Sequence, residues 1–335
     1  MTAEAQSIEE FRQQLLADGV ISGPGATFIP LAGGVSSDIY RVEDAGSVFV
    51  VKRALSQLRV EATWHADVRR NRFEIACLNR IRRIAPMNVP EVIHHNAEQG
   101  YFTMQCLGPE FQNWKAMMLE GRCDFRHASI AGSLLGRIHR ETWNDAELQA
   151  EFETTDNFHA LRLEPYLHAM AGRHPELREP ILAESERIRN SRQCLVHGDF
   201  SPKNLLFQDD QIMVLDCEVA WFGDAAFDVA FLLNHLVLKA LHLPAQRGQC
   251  LKMARTAWDS HQIEAGKMEI DPDVATLLPM LMLARIDGKS PVEYLKPDDR
   301  SAVREFATDC IVNPSENLID LLGRWQVFLN AHEDC

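Results

Sequence analysis

The sequence predicts an α+β fold in which a small sheet-containing lobe precedes a mostly helical one. Five short apolar runs with the character of strands come first, at 28–31, 39–42, 48–52, 91–95 and 101–106. Between the third and the fourth, residues 61–83 contain neither Gly nor Pro and consist largely of helix formers, which predicts one long helix. Beyond residue 109 apolar residues recur at helical spacing, as at Ile130, Leu134 and Ile138.

Two local patterns set the predicted boundaries. Ser7 and Glu10 have the S-x-x-E spacing of a capping box, so we expect a helix over 7–18 that packs on the first lobe. The last predicted strand runs into Leu107-Gly108-Pro109, a natural hinge. The predicted domains are therefore 1–107, which would bind a nucleotide, and 108–335, which would hold the catalytic and acceptor-binding groups.

Composition indicates a folded cytoplasmic protein. Of the 335 residues, 46% are hydrophobic and 24% are charged, which is ordinary for a globular chain. The first ten residues lack the basic start and apolar core of a secretory leader, and no apolar stretch reaches the length of a membrane span. The eight cysteines form no C-x-x-C pair, so we expect reduced thiols.

The net negative charge lies almost entirely beyond residue 107. The net charge of −14 argues against binding to nucleic acid or to an anionic membrane. Up to residue 107, 11 Lys and Arg meet 12 Asp and Glu, and beyond it 23 meet 36, which gives −1 and −13. An acidic second lobe would attract a cationic substrate; the alternative is a merely well-solvated acidic surface.

The stretch 196–204, V-H-G-D-F-S-P-K-N, carries the chemistry. It offers a carboxylate at Asp199 and an amide at Asn204, and a second carboxylate, Asp216, ends the apolar run 212–215. Phosphoryl transfer from a nucleotide needs such a trio, in which one carboxylate takes the proton of the acceptor hydroxyl while the amide and the second carboxylate hold Mg²⁺. The alternative is ordinary turn chemistry.

A lysine and a glutamate in the first lobe fit the same reaction. Lys52 ends a buried apolar strand, which is costly unless an anion meets it. Glu74 shares a helix face with Leu78 and Ile81, so we expect Glu74 to pair with Lys52, with Glu61 as the second choice. Snorkelling of Lys52 from the strand end is the alternative.

These residues resemble the aminoglycoside phosphotransferase and choline kinase group of small-molecule kinases, which has methylthioribose kinase and homoserine kinase type II as relatives. The resemblance runs from about residue 26 to 240 and is most specific at H-G-D-x-x-x-x-N and at D-x-E, which is Asp216-Cys217-Glu218 here. It implies a bilobal protein-kinase-like fold with a five-stranded antiparallel sheet, and it implies ATP and Mg²⁺.

The resemblance also implies roles for individual residues. Asp199 would be the base and Lys52, fixed by Glu74, would hold the α- and β-phosphates. His197 and Asp228 would brace the loop. Glu218 would assist a second metal or the acceptor. The expected metal ligands are Asn204, Asp216 and Glu218, and the nucleotide would contact Gly33, Gly34, Ser36, Ser37, Lys52 and the backbone around Gln105 and Leu107.

The acceptor is expected to be a small molecule with a hydroxyl group, such as an amino alcohol, an aminoglycoside or a sugar. The candidate acceptor residues are Asp156, Trp221, Asp224, Arg285 and Asp287. We expect no nucleic-acid partner and no membrane, and a monomer or homodimer. The alternatives are an atypical protein kinase, disfavoured because D-F-G and A-P-E are absent from the sequence, and a nucleotide-binding pseudokinase or adaptor.

Overall fold

The computed structural model describes residues 3–31, 37–55, 70–266 and 268–333. The chain divides into two compact units. The first consists of residues 1–79 and 90–108, and the second of residues 80–89 and 109–335. The predicted division into 1–107 and 108–335 stays a prediction.

The first unit is built on one antiparallel sheet. Its strands are β1 (Thr27–Pro30), β2 (Ser37–Asp44), β3 (Ser47–Ala54), β4 (Val92–Asn96) and β5 (Tyr101–Gln105), in the order β1-β2-β3-β5-β4. Strand β3 is therefore flanked on both sides, and its residues 50–52 are buried. A side chain that projects from the middle of β3 is held by two neighbouring strands.

Two helices accompany this sheet, α1 (Ala3–Ala17) and α2 (Arg70–Ile84). Helix α1 packs Phe11 and Leu15 into a buried cluster with Tyr40 and Tyr101. It begins four residues before the predicted start at residue 7, because residues 3–6 are themselves good helix formers and the chain needs no cap at Ser7. Residues 61–69 of the long predicted helix lie outside the described residues.

The second unit carries two small antiparallel sheets. One pairs β6 (Gln112–Asn113), β8 (Leu205–Gln208) and β9 (Gln211–Val214), in the order β6-β8-β9. The other pairs β7 (Cys194–Val196) with β10 (Trp221–Gly223). The loop 197–204 runs from β7 to β8, so both of its ends are fixed by paired strands.

Helices make up the rest of the second unit. They are α3 (Trp114–Leu119), α4 (Phe125–Glu141), α5 (Ala146–Glu151), α6 (Thr155–Phe158), α7 (Ala169–Arg173), α8 (Arg178–Asn190), α9 (Ala225–His242), α10 (Arg247–Ala265), α11 (Asp271–Asp287), α12 (Pro297–Val312) and α13 (Leu318–Glu333). Helix α9 is the core helix, since every residue from Ala225 to Leu241 is buried. It has the length and composition of a membrane span, but 94% of it lies inside the protein, as is usual for a core helix.

The helical segment around Pro165 has an unusual form. Residues His159–His168 form a π-helical stretch with Pro165 inside it. The wider π-helical turn lets the chain continue past a residue that has no N–H to donate. This stretch carries Leu161, Arg162 and Leu163, all of them buried.

Two glycines let helices α4 and α10 approach closely. A Cβ atom built on Gly132 would lie 2.1 Å from the backbone oxygen of Ala257, and one on Gly136 would lie 2.5 Å from that of His261. Both obstacles are backbone atoms, which cannot rotate away.

Gly132→Ala should therefore destabilise the protein although alanine is the better helix former. We expect the free energy of unfolding to fall by about 1–3 kcal/mol, the usual cost of overpacking a core. Urea denaturation measures it. Gly248→Ala in α10, where a Cβ would meet nothing within 4 Å, is the matched control and should leave stability unchanged or higher. Equal stability of both variants would contradict this account of the α4–α10 contact.

Candidate active site

Lys52 and Glu74 form a buried ion pair in the first unit. Lys52 lies on β3 and is 2% exposed, and Glu74 lies on α2 and is 1% exposed. The lysine Nζ lies 2.7 Å from Oε1 of the glutamate. A buried lysine without an anion would be strongly destabilising, so this pair keeps Lys52 charged inside the unit. The partner that helix-face spacing favours is the one that the structure shows; Glu61 lies outside the described residues.

The residues predicted to contact a nucleotide are only partly described. Gly33, Gly34 and Ser36 lie outside the described residues. Ser37 opens β2, and its buried Oγ has no hydrogen-bond partner among the residues that the structure describes. At the other end of the sheet, Gln105 ends β5 and donates its N–H to the Glu91 oxygen at 2.8 Å, and Leu107 follows two residues later.

Asp228 fixes the start of the loop 197–204. Its carboxylate accepts the backbone N–H of His197 at 2.6 Å and that of Gly198 at 2.8 Å. Gly198 has a φ of +77°, and a Cβ there would lie 2.7 Å from the Val219 oxygen, so glycine is required. Asp228 is completely buried in the first turn of α9, so the core helix itself holds the loop.

His197 completes the bracing of the loop. Its Nδ1 accepts the N–H of Asp199 at 3.1 Å, and its Nε2 donates to the Leu215 oxygen at 3.1 Å. These two bonds require the neutral ring with its proton on Nε2, because only an unprotonated Nδ1 can accept. His197 thereby links the loop to the chain that leads to Asp216.

A buried pair of histidines, His139 and His261, lies behind Asp228. His139 on α4 approaches Asp228 with 3.7 Å between Nε2 and Oδ2, and its Nδ1 lies 3.0 Å from Nε2 of His261 on α10. Burial and the nearby His139 lower the pKa of His261 well below its usual range. The close α4–α10 packing therefore supports the carboxylate that holds the loop.

Asp199 is the buried carboxylate at the centre of this loop. It is 5% exposed, and two cations approach its Oδ2: Nη2 of Arg162 at 3.1 Å and Nζ of Lys203 at 2.9 Å. Burial raises the pKa of Asp199, but the charges of Lys203 and Arg162 more than offset it, and the net shift is downward. Asp199 is therefore ionised at neutral pH.

Arg162 is the site residue that sequence reasoning missed. It lies on the π-helical stretch, and its Nε donates to the Gly198 oxygen while Nη2 reaches Asp199. The available signal was a lone arginine between two leucines, Leu161 and Leu163. A buried arginine needs an anionic partner, and that requirement could have identified it.

Three oxygen donors come together after the loop. Leu205 pairs with Val214, and the Leu215 N–H donates to the Asn204 oxygen at 2.9 Å, so Asn204 is fixed beside the chain that leads to Asp216. The amide of Asn204 donates to the Asp199 backbone oxygen at 3.0 Å, which leaves its Oδ1 as an acceptor.

Asp216 and Glu218 supply the carboxylates of this group. One carboxylate oxygen of Asp216 lies within 4.8 Å of one carboxylate oxygen of Glu218. Asp216 has a left-handed φ of +65°, an uncommon conformation for a residue other than glycine. Carboxylate and amide oxygens are the ligands that Mg²⁺ prefers, so this donor set fits that ion.

Three of the predicted acceptor residues lie in or near the scaffold around β10. Trp221 is fully buried, stacks on Phe158 and donates to the Thr155 hydroxyl at 3.3 Å. Asp224 caps α9 by accepting the Ala226 N–H, and it contacts Arg187. Asp156 is exposed on the short helix α6.

The other two, Arg285 and Asp287, differ in their surroundings. Asp287 is bound by Arg304 through two bonds of 2.7 Å and by His174 at 3.0 Å. Among the described residues Arg285 bonds only to neutral groups, namely the Tyr166 hydroxyl at 3.3 Å and the Ser290 hydroxyl and backbone oxygen.

Comparison with known proteins agrees with this geometry. Methylthioribose kinase 1 of Oryza sativa subsp. japonica is 24% identical over 229 residues, which cover 59% of this chain and 52% of the relative. Methylthioribose kinase of Exiguobacterium sibiricum is 22% identical over 266 residues, with 72% and 68% covered. The chain thus spans about half the length of the rice relatives that it matches.

Two solved structures share the fold. The amicoumacin kinase hAmiN in complex with AMP-PNP, Ca²⁺ and Ami superposes with a TM-score of 0.55 at 15% identity, covering 95% of this chain and 98% of that one. The complex of APH(2'')-IIIa with GDP and kanamycin has a TM-score of 0.51 at 12% identity, with 97% and 98% covered. The predicted α+β, protein-kinase-like fold is confirmed.

The family follows from a match over most of the chain. Residues 27–263 match the model of the phosphotransferase enzyme family, and this range includes the Lys52–Glu74 pair, the loop 197–204 and the Asp216–Glu218 group. The predicted family resemblance is confirmed, and the chain belongs to the phosphotransferase enzyme family.

Proposed function

We propose that this protein is an ATP- and Mg²⁺-dependent kinase that phosphorylates a hydroxyl group of a small molecule. The observation that carries the proposal is Asp199, a buried carboxylate kept ionised by Arg162 and Lys203 on a loop that also carries Asn204. The relatives named methylthioribose kinase support a small polyhydroxylated acceptor. The free cysteines described in the structure support a cytoplasmic enzyme.

Asp199 would orient the acceptor hydroxyl and take its proton. The closest approach of each cation, Arg162 and Lys203, is to Oδ2. We assign Oδ1 to the hydroxyl. Because its lowered pKa makes Asp199 a weak base, its main contribution is to position the oxygen in line with the phosphorus, which is how kinases gain most of their rate.

Lys52 would bind the nucleotide phosphates, with Glu74 holding its ammonium group in place. Backbone groups near Gln105 and Leu107 would meet the adenine, and the residues at 33–37 would lie over the phosphates. Asn204, Asp216 and Glu218 would hold Mg²⁺, which when bound neutralises charge on the phosphates. His197 and Asp228 hold the loop in shape and would touch neither substrate.

Asp199→Asn should abolish transfer and leave nucleotide binding intact. Loss of a catalytic base typically lowers kcat by about 10²–10⁴-fold. The measurement is ADP release from ATP with Mg²⁺ across methylthioribose, choline, spectinomycin and kanamycin, with EDTA as the metal control. Binding of AMP-PNP is followed by calorimetry.

Asp210→Asn is the matched control, because Asp210 is exposed and makes only a 3.8 Å contact with Arg126. A near-normal kcat for Asp199→Asn would show that Asp199 is not the base. The pseudokinase alternative predicts a different result, which is nucleotide binding without turnover in the wild type.

Arg162→Met should shift the acidic limb of the kcat–pH profile to higher pH. Arg162 lowers the pKa of Asp199, so its removal raises that pKa and the carboxylate is protonated at a higher pH. One pKa unit corresponds to about 1.4 kcal/mol, so the size of the measured shift reports the strength of the pair. Arg126→Met, which loses an exposed ion pair, should leave the limb in place. An unmoved limb in Arg162→Met would refute the electrostatic role.

A further inference from the structure

The second unit contains a cluster of cationic side chains that the proposed mechanism does not use. Lys239 lies on α9, one turn after His235, and Arg285 lies in the last turn of α11. Lys115 lies at the start of α3. The segment between α11 and α12 contacts all three cations, Arg285 through Ser290, Lys115 through Glu293 and Lys239 through Tyr294.

Two of these cations have no anionic partner. Lys239 is completely buried; its Nζ donates to the His235 backbone oxygen at 3.2 Å and lies 5.0 Å from the centre of the Tyr294 ring. Arg285 bonds only to neutral oxygens of Tyr166 and Ser290. Within the described residues neither one forms an ion pair.

The third cation, Lys115, pairs with Glu293. Three cations therefore share one carboxylate. Burial, with the positive charges of Lys115 and Arg285, lowers the pKa of Lys239 to about 7. Buried charges are normally paired, so this imbalance calls for an anion.

Aromatic rings connect this cluster to Asp199. The guanidinium carbon of Arg162, which binds Asp199, lies 6.0 Å from the centre of the Tyr166 ring and 5.6 Å from that of Phe231. The Tyr166 hydroxyl accepts from Arg285, and the Phe231 ring lies 5.4 Å from that of His235. The Tyr166 and Phe231 rings thus adjoin both Arg162, the partner of Asp199, and the cluster.

Unused hydrogen-bond donors accompany the unpaired charge. Nε of Arg285 and the Tyr294 hydroxyl are buried and have no hydrogen-bond partner among the described residues. Orphaned donors next to an uncompensated positive charge are what a bound anion satisfies.

We propose that the acceptor carries an anionic group, a carboxylate or a phosphate, which binds Arg285 and Lys239 while its hydroxyl reaches Asp199. The inference rests on the proposed kinase function and narrows its substrate class. It reverses the expectation of a cationic acceptor that the net charge of −13 beyond residue 107 suggested. That charge is a sum over the whole lobe, whereas an acceptor responds to the few groups within a Debye length or less.

The first experiment measures anion binding directly. Inorganic phosphate is titrated into the protein saturated with AMP-PNP and Mg²⁺, so that the nucleotide site is filled, with sodium chloride at equal ionic strength as the reference. We expect phosphate to raise the Tm of the wild type. Arg285→Met and Lys239→Met should weaken phosphate binding by about 10- to 100-fold, the effect of losing a charge-assisted hydrogen bond.

Lys289→Met is the matched control. Lys289 lies on the same segment but is paired with Glu164, so its loss should leave the phosphate effect unchanged. Lys239→Met guards against a folding artefact, because replacing a buried, partly charged lysine by methionine should raise the Tm of the ligand-free protein. A variant that is more stable and yet binds phosphate less tightly cannot be explained by misfolding.

A second experiment distinguishes the two anions with acceptors that share one skeleton. Glycerol, glycerate, glycerol 3-phosphate and 2-amino-1,3-propanediol are neutral, carboxylate, phosphate and cationic in turn, and each competes with inorganic phosphate in the same assay. Competition by glycerate or glycerol 3-phosphate alone supports the proposal and identifies the preferred anion.

Equal effects of phosphate on wild type and Arg285→Met, no effect on the wild type, or preferential competition by the amine would overturn the proposal. Failure of the kinase function itself would appear in the nucleotide assays, as absent AMP-PNP binding or absent turnover of ATP. The two failures are therefore distinguishable.

Discussion

The two hydrogen bonds that Asp228 accepts from His197 and Gly198 are the constraint on which the site depends. A loop of eight residues between two short strands has many accessible conformations, and each residue fixed costs roughly 1–2 kcal/mol of conformational entropy. The Asp228 carboxylate, which is completely buried in the first turn of α9, offsets part of this cost by accepting the two hydrogen bonds. Because that turn belongs to the core helix, the position of Asp199 is tied to the hydrophobic core, with Gly198 and His197 of the loop supplying the turn and a further hydrogen bond.

The charge of Asp199 follows from the same arrangement. Arg162 donates to the Gly198 backbone and also reaches the Asp199 carboxylate, so one side chain orients the loop and stabilises its charge. Arg162 is itself held on a π-helical stretch against the rings of Tyr166 and Phe231. A planar guanidinium suits this double task better than an ammonium, because it offers several donors in fixed directions.

A feature of the candidate site was predictable from the sequence where its residues are close together in the chain or share one face of a strand or helix. The Lys52–Glu74 pair follows from the faces of one strand and one helix, so sequence reasoning reached it. The roles assigned to the loop residues rest on short-range spacing and stay predictions. Arg162 and the Lys239–Arg285 cluster lie where separate helices contact each other, and no local sequence pattern predicts that contact. Net charge does not reveal such a cluster either, because it averages over a lobe and ignores which groups are buried together.

The unpaired lysine is the strongest reason to regard the cationic cluster as functional. Lowering the pKa of a fully buried lysine from 10.5 to about 7 corresponds to roughly 5 kcal/mol of lost stability below pH 7. The sign follows from linkage: the unfolded chain binds the proton more tightly, so this penalty shrinks as the pH rises from 7 towards 10.5. A methionine at residue 239 would avoid it and still fill the core. An anion that enters the cluster restores the charge of Lys239 and removes this loss of stability. Binding of such an acceptor therefore takes up a proton and also stabilises the folded protein.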